Sequence, residues 1–327
     1  MKSKRNINTK EICDQIKKGN ITALSKAITL SESNIDSDQE LANKILGKLK
    51  TKNNDSIRIG VTGVPGAGKS TFIESFGNHL TNLGLKLAVL TIDPSSSVNK
   101  GSILGDKTRM ETLSANKNVF IRPSPASNFQ GGVGKNTRES IFLCESARYD
   151  IILIETVGVG QNEISVAEMV DFFLLLKISG SGDELQGIKR GIIEMSDLIA
   201  INKCDGDNVK DSIKAKNEFK LALQLFPKKK SNWKPQVLTC SSITGEGLAK
   251  IWDCINNYVN LTKKNNYFYE NRINQNKSWL LQIIDYSLRK SFFNRKSIKI
   301  KLNNLIKKIE EQKISIFEAS RKILSEI

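Results

Sequence analysis

The chain has 327 residues, 39% hydrophobic and 26% charged, which suffices for one large α/β domain and a smaller appendage. Its formal net charge is +16, and residues 263–327 carry much of it, with 15 Lys and Arg against 6 Asp and Glu. No RNA-binding, zinc-finger or helix-turn-helix signature accompanies this excess, so we ascribe it to composition rather than to nucleic acid or a membrane surface. We therefore expect no nucleic-acid partner.

The sequence also argues against membrane insertion and secretion. The longest wholly apolar run is residues 172–176, whereas a membrane span needs about 20 residues. The basic N-terminus is followed by polar residues, unlike a secretory signal. Five scattered cysteines, odd in number and without CxxC spacing, suggest reduced thiols. We expect a cytoplasmic protein with no membrane partner.

Apolar periodicity divides the chain into three regions. Residues 1–55 show helical spacing and are predicted to form a helical N-terminal cap. In residues 56–262, continuous apolar strands alternate with helices, which predicts an α/β domain with a doubly wound, mostly parallel sheet. Residues 263–327 carry helical apolar stripes that must pack on the main domain or on a second subunit. The strands are predicted at 58–62, 86–92, 119–122, 150–155, 172–178, 198–202 and 236–240.

Residues 63–70 fit the GxxxxGK[ST] pattern of a phosphate-binding loop, with a predicted strand before them and a predicted helix after. The glycines permit backbone conformations in which consecutive N–H groups point at a phosphate on a helix N-terminus. Lys69 would reach the β and γ oxygens, and the Ser70 hydroxyl would bind Mg²⁺. The candidate nucleotide-binding residues of this loop are Gly63, Val64, Pro65, Gly66, Ala67, Gly68, Lys69, Ser70 and Thr71.

An NKxD box at residues 202–205 follows a later apolar strand. An Asp carboxylate accepts from the ring N–H and the exocyclic amine of guanine, whereas adenine presents no such pair of donors. The next strand is followed by Ser241 and Ser242, where a guanine-contacting loop belongs. The spacing therefore predicts GTP over ATP. The candidate base-binding residues are Asn202, Lys203, Asp205, Ser241 and Ser242.

Two acids end predicted strands near the phosphate loop. Glu155 ends the strand at 150–155, and Asp93 follows the strand at 86–92. Both could hold Mg²⁺ beside Ser70, directly or through water.

A glycine after Glu155, Gly158, could offer its N–H to the γ-phosphate. In Ras-like enzymes the next position holds the Gln that orients the attacking water, but here it is Val159. We expect slow intrinsic GTP hydrolysis unless Gln161 or a group from a partner takes over.

Four further segments carry distinctive motifs: DPSS at 93–96, GSILGDKTRM at 101–110, ETVGVGQ at 155–161 and GDELQGIK at 182–189. Together they resemble the methylmalonyl-CoA mutase-associated GTPases of the MeaB/ArgK type. The resemblance covers nearly the whole chain and implies a P-loop GTPase domain at 56–262 and a C-terminal helical dimerisation arm at 263–327. It implies a homodimer that hydrolyses GTP with Mg²⁺. The implied partner is the adenosylcobalamin-dependent methylmalonyl-CoA mutase, whose cofactor loading or protection the GTPase would gate as a chaperone.

The resemblance also implies residue roles. The Mg²⁺ shell would comprise Ser70, Asp93, Asp106 and Glu155. The candidate catalytic residues would be Lys69, Glu155 and Lys189. Residues 94–110 and 156–163 would be two switches, and 180–189 an additional switch that reports the nucleotide state to the mutase. The chain departs from the family at 179–182, where SGSG replaces the more usual Pro-Gly-Ala-Gly.

Other functions stay open at this point. A nickel- or metallocentre-insertion GTPase would need a Cys/His cluster, but His79 is the one histidine and CxxC is absent. A transport-protein kinase would need an acceptor-hydroxyl base, and no HRD-type motif is present. A basic scaffold that binds RNA would lose affinity steeply with salt, whatever the nucleotide.

Overall fold

The computed structural model describes residues 8–49, 55–93, 110–125, 132–156, 161–180 and 190–326. The chain divides into two compact units, one up to Ile273 and the other from Asn274 onward. The first unit contains the sheet and the helices around it.

Seven strands form one sheet, in the order β3-β2-β4-β1-β5-β6-β7. Every strand pairing in the described residues is parallel, which confirms the doubly wound α/β prediction. The seven predicted strands are all present, with ends shifted by three residues at most. The strands are β1 (Ile57–Gly63), β2 (Leu87–Asp93), β3 (Val119–Pro125), β4 (Ile151–Thr156), β5 (Phe172–Ile178), β6 (Leu198–Asn202) and β7 (Gln236–Thr239).

Helices precede the sheet, alternate with its strands and follow it. Among the described residues, no helix has the length and apolar character that crossing a bilayer requires. The helices that lie wholly in the first unit are α1 (Thr9–Lys17), α2 (Ile21–Glu32), α3 (Asp36–Lys48), α4 (Lys69–Asn82), α5 (Glu111–Ser114), α6 (Gly132–Ser146), α7 (Gln161–Ala167), α8 (Arg190–Met195), α9 (Val209–Leu223) and α10 (Leu248–Lys264). Helix α11 (Tyr267–Asn294) begins in the first unit and ends in the second. The chain then continues with α12 (Lys296–Glu310) and α13 (Ile316–Leu324).

The sheet is buried on both faces, as strand β4 illustrates. Ile152 and Ile154 belong to one apolar cluster, together with Leu24 of the N-terminal helices. Ile151 and Leu153 belong to a second cluster, together with side chains of α4 and α10. Because alternate side chains of a strand point to opposite faces, an uninterrupted apolar run satisfies both clusters. The N-terminal helices therefore share a core with the sheet.

Strand β1 lies in the middle of the sheet, between β4 and β5. Strand β2, which follows β1 in the chain, lies on one side of β1, beyond β4. Strand β5 lies on the other side of β1. In open α/β sheets, ligands bind at the carboxyl ends of the strands where the order reverses in this way. The end of β1, at Gly63, is such a point.

A buried ion cluster lies at the amino ends of β1 and β5, away from the end at Gly63. Arg272, near the start of α11, donates to both carboxylate oxygens of Asp171, at 2.8 and 2.7 Å. The same guanidinium donates to the Ser56 carbonyl at 2.5 Å and lies 3.7 Å from Glu145. Glu145 also pairs with Arg58 at 2.7 Å. The cluster ties the start of α11 to the residues that precede β1 and β5.

We expect Arg272→Ala to lower the free energy of unfolding by about 3–5 kcal/mol, because it leaves buried carboxylates short of a cation. Asp171 and Glu145 are only 5% and 4% exposed, so water cannot replace the guanidinium easily. Urea titration measures the effect. The control is Arg289→Ala, at an exposed position of the same helix, which should change stability by less than about 0.5 kcal/mol. Equal losses in the two variants would contradict this role of the cluster.

Candidate nucleotide-binding site

The predicted phosphate loop connects the end of β1 to the start of α4. Gly63 lies against β5, where an added Cβ would be 2.4 Å from the Leu176 carbonyl oxygen. Gly68 precedes α4 with φ 84°, and a Cβ there would be 2.8 Å from Nδ2 of Asn202. Both positions therefore require glycine, because a side chain would push the loop away from its neighbours.

Lys69 lies at the first position of α4 and points back across the loop. Its ammonium donates to the carbonyls of Gly63, at 2.8 Å, and Val64, at 3.3 Å. Burial lowers the pKa of Lys69, and the carboxylates of Glu155 and Glu163 oppose that shift. A half-buried cation in the mouth of a glycine-rich loop suits the binding of phosphate oxygens.

Ser70 and Glu155 come together beside the loop. The Ser70 hydroxyl donates to Oε1 of Glu155 at 3.2 Å, and Glu155 pairs in register with Val61 of β1. A hydroxyl and a carboxylate are oxygen ligands of the kind Mg²⁺ prefers, and such sites often use few protein ligands beside the phosphates. The described residues contain no cluster of three or more metal-ligating His, Cys, Asp or Glu side chains.

Several predicted residues cannot be placed in the site. Strand β2 ends at Asp93 as expected, but the Asp93 side chain lies outside the described residues. Asp106, Gly158 and Lys189 also lie outside them. The structure therefore brings together Ser70 and Glu155 of the four predicted metal ligands.

Asn202 joins the phosphate loop to the loop after β7. Its Nδ2 donates to the Ala67 carbonyl at 2.9 Å. Its Oδ1 accepts from the backbone N–H and the hydroxyl of Ser242, at 3.1 and 2.8 Å. The Asn202 side chain is buried, so it holds the two loops together.

Asp205 is held by the neighbouring loop. The Ser241 hydroxyl donates to the Asp205 carboxylate and accepts from the backbone N–H groups of Ile243 and Thr244, at 3.3 and 3.1 Å. The turn leading to Asp205 contains Lys203 in the left-handed region, with φ 58°. This arrangement orients the Asp205 carboxylate beside the loop after β7, as recognition of guanine requires.

Sequence reasoning missed a polar chain behind the phosphate loop. The Thr156 hydroxyl donates to Thr62 at 2.8 Å, and Thr62 donates to Oε1 of Glu163 at 3.2 Å. All three side chains are buried. The available signal was a threonine in each of two mostly apolar strands, since a buried hydroxyl needs a partner.

The family model described as methylmalonyl Co-A mutase-associated GTPase MeaB matches residues 24–297. The chain belongs to this family. It is accordingly a P-loop GTPase that hydrolyses GTP.

Individual relatives agree with the assignment. The GTPase ArgK of Escherichia coli is 45% identical over 266 residues, covering 81% of this chain and 80% of ArgK. A probable GTPase of Mycobacterium tuberculosis is 40% identical over 309 residues, covering 94% of this chain and 92% of that protein. A crystal structure described as LAO/AO transport system kinase is 33% identical, with a TM-score of 0.74, and covers 98% of both chains.

We expect Lys69→Ala to abolish GTP hydrolysis, because it removes the cation that the loop places at the candidate phosphate position. Glu155→Ala should raise the Mg²⁺ concentration needed for half-maximal turnover and slow turnover by about 10²-fold. Single-turnover assays over a Mg²⁺ titration measure both effects. Parental turnover in Lys69→Ala would refute the loop assignment, and an unchanged Mg²⁺ titration would refute that of Glu155.

We expect Asp205→Asn to lower GTP affinity by roughly 10²- to 10⁴-fold, because one acceptor becomes a donor that faces another donor on guanine. Xanthine has a carbonyl in place of the guanine amine, so the variant should recover binding and hydrolysis of xanthosine triphosphate. Titration with both nucleotides measures the exchange of specificity. Parental GTP affinity in the variant would sink the assignment of Asp205 to the base.

Proposed function

We propose that the chain is a GTP-hydrolysing chaperone of a cobalamin-dependent acyl-CoA mutase, methylmalonyl-CoA mutase, and gates the loading or protection of its cofactor. The observation that carries the proposal is the family match, whose description names association with this mutase and which spans residues 24–297. A mouse relative, 43% identical over 302 residues, is named methylmalonic aciduria type A homolog, which points to the same metabolism. The partner would be the adenosylcobalamin-dependent enzyme.

The candidate site supports Mg²⁺-dependent hydrolysis of GTP. Mg²⁺, when bound, would neutralise charge on the β and γ phosphate oxygens. The described residues that would hold Mg²⁺ are Ser70 and Glu155, whose Oγ and Oε1 atoms lie 3.2 Å apart. Lys69 would bind the same phosphates, and Asp205 would select guanine. Catalysis would come from positioning and charge, because phosphoryl transfer requires little covalent chemistry from the protein.

A homodimer through the C-terminal helices is part of the proposal. In the unit from Asn274 onward, Leu281, Leu288 and Phe317 are 68%, 64% and 79% exposed, respectively. A small core around Leu305 cannot cover these side chains. A second copy of the chain would bury them. We place the dimer in the cytoplasm, in keeping with the five free thiols.

The chaperone proposal predicts mutase binding that depends on the nucleotide. The immobilised protein, loaded with a non-hydrolysable GTP analogue or with GDP, is presented with purified methylmalonyl-CoA mutase. We expect the protein to bind the mutase at least about 10-fold more tightly in one nucleotide state than in the other. This ratio corresponds to a coupling free energy of about 1.4 kcal/mol. The Lys69→Ala variant is the control and should show no such difference. Equal retention in both states, or none, would refute the proposal.

The dimer proposal predicts that a chain ending at Ile273 is monomeric in sedimentation, whereas the full chain is dimeric. This end point keeps the buried Arg272 cluster and Phe268, which is 3% exposed. Leu281→Glu in the full chain provides a second variant, because a carboxylate at an exposed position should disrupt an interface without harming the fold. Dimers that persist in both variants would show that the interface lies elsewhere.

A further inference from the structure

The side chain of Asn208 bridges two loops at the carboxyl edge of the sheet. Its Nδ2 donates to the Lys203 carbonyl at 2.7 Å, and its Oδ1 accepts from the Ser179 hydroxyl at 2.7 Å. Lys203 belongs to the NKxD box after β6. Ser179 directly follows β5 and leads into residues 181–189. One amide thus connects the candidate guanine loop to the segment after β5.

This use of Asn208 differs from the ordinary role of asparagine at a helix start. Asn208 directly precedes α9, where an asparagine usually accepts from a backbone N–H of the first turn. The Asn208 side chain makes no such capping bond. Its strongest contacts go instead to two loops that precede it in the chain. Helix capping therefore does not account for the residue.

The bond to Lys203 acts on a turn that is unfavourable by itself. Lys203 has φ 58°, a region that residues other than glycine seldom adopt. The bond from Asn208 helps to hold this turn. The turn places Asp205 at the Ser241 hydroxyl. Asn208 therefore supports the orientation of the carboxylate that would select guanine.

We propose that Asn208 is a positioning residue that couples occupancy of the guanine site to the segment beginning at Ser179. The inference rests on the proposed guanine recognition by Asp205. Guanine bound to Asp205 would hold the turn at Lys203, and the fixed turn would hold the Asn208 amide. The Ser179 hydroxyl would then have an acceptor in a constant position. By linkage, fixing the Ser179 segment would also strengthen guanine binding.

The two ends of the bridge can be cut separately. Ser179→Ala removes the bond to the segment after β5 and leaves the bond to Lys203. Asn208→Ala removes both bonds, and Asn208→Asp keeps an acceptor for Ser179 but turns an oxygen toward the Lys203 carbonyl. Ser179→Thr restores the hydroxyl. Asn217→Ala, at an exposed position on α9, is the matched control.

The first measurement is affinity for GDP and ADP. Asn208→Ala should weaken GDP binding by roughly 3- to 10-fold, as expected for losing the hydrogen bond that holds the Lys203 turn. Asn208→Asp should weaken it at least as much. By linkage, Ser179→Ala should also weaken it, but by a smaller factor than Asn208→Ala, whereas Asn217→Ala should stay within about twofold of the parent. Unchanged GDP affinity in both Asn208 variants would overturn the positioning role.

The second measurement is hydrogen exchange of the peptide covering residues 179–190, with GDP and with inorganic pyrophosphate. Pyrophosphate fills only the phosphate loop, so the slowing of exchange by GDP beyond that by pyrophosphate reports the coupling. This difference should vanish in Ser179→Ala and Asn208→Ala, and should persist in Ser179→Thr and Asn217→Ala. A full difference in Ser179→Ala would overturn the coupling. A parent that binds ADP as tightly as GDP would instead overturn the guanine assignment, and the inference with it.

Discussion

The buried side chain of Asn202 is the contact on which the candidate site depends. Its amide donates to the phosphate loop at Ala67 and accepts from the loop after β7 at Ser242. Because a buried amide that loses its partners is costly, the two loops cannot separate without a large penalty. The same side chain fills the space beside Gly68, where any Cβ would collide with it. The candidate phosphate loop and the loop after β7 are thereby joined at one rigid junction.

The sheet could be predicted because its strands are short apolar runs with sharp ends. Strand β5 begins and ends at the predicted residues, Phe172 and Ile178, since both faces of the sheet are buried and no polar alternation blurs its limits. Helix boundaries depend more on packing than on local signals. Helix α6 begins at Gly132 although glycines at its start disfavour a helix locally, because packing against the sheet overrides that preference.

The arrangement of the candidate site residues could be predicted where a motif places them on one short segment, as in the loop that ends at Lys69 and Ser70. The buried partners that support them could not. The bond from Thr62 to Glu163 joins residues 101 positions apart, and it exists only because of how β1 and α7 are packed. Asn208 was missed for a related reason: its neighbours in the chain suggest a helix cap, and its actual partners come from other loops.

The arrangement of contacts around β1 limits where the protein can respond to a nucleotide. At its carboxyl end, Gly63 is packed directly against Leu176 of β5. At its amino end, Arg272 binds both the Ser56 carbonyl and the Asp171 carboxylate. Because close-packed interiors resist small deformations, we expect both strands to keep their positions when the site is filled. We therefore expect any nucleotide-dependent change in the loops that leave the carboxyl edge, where bridges such as that of Asn208 would transmit it.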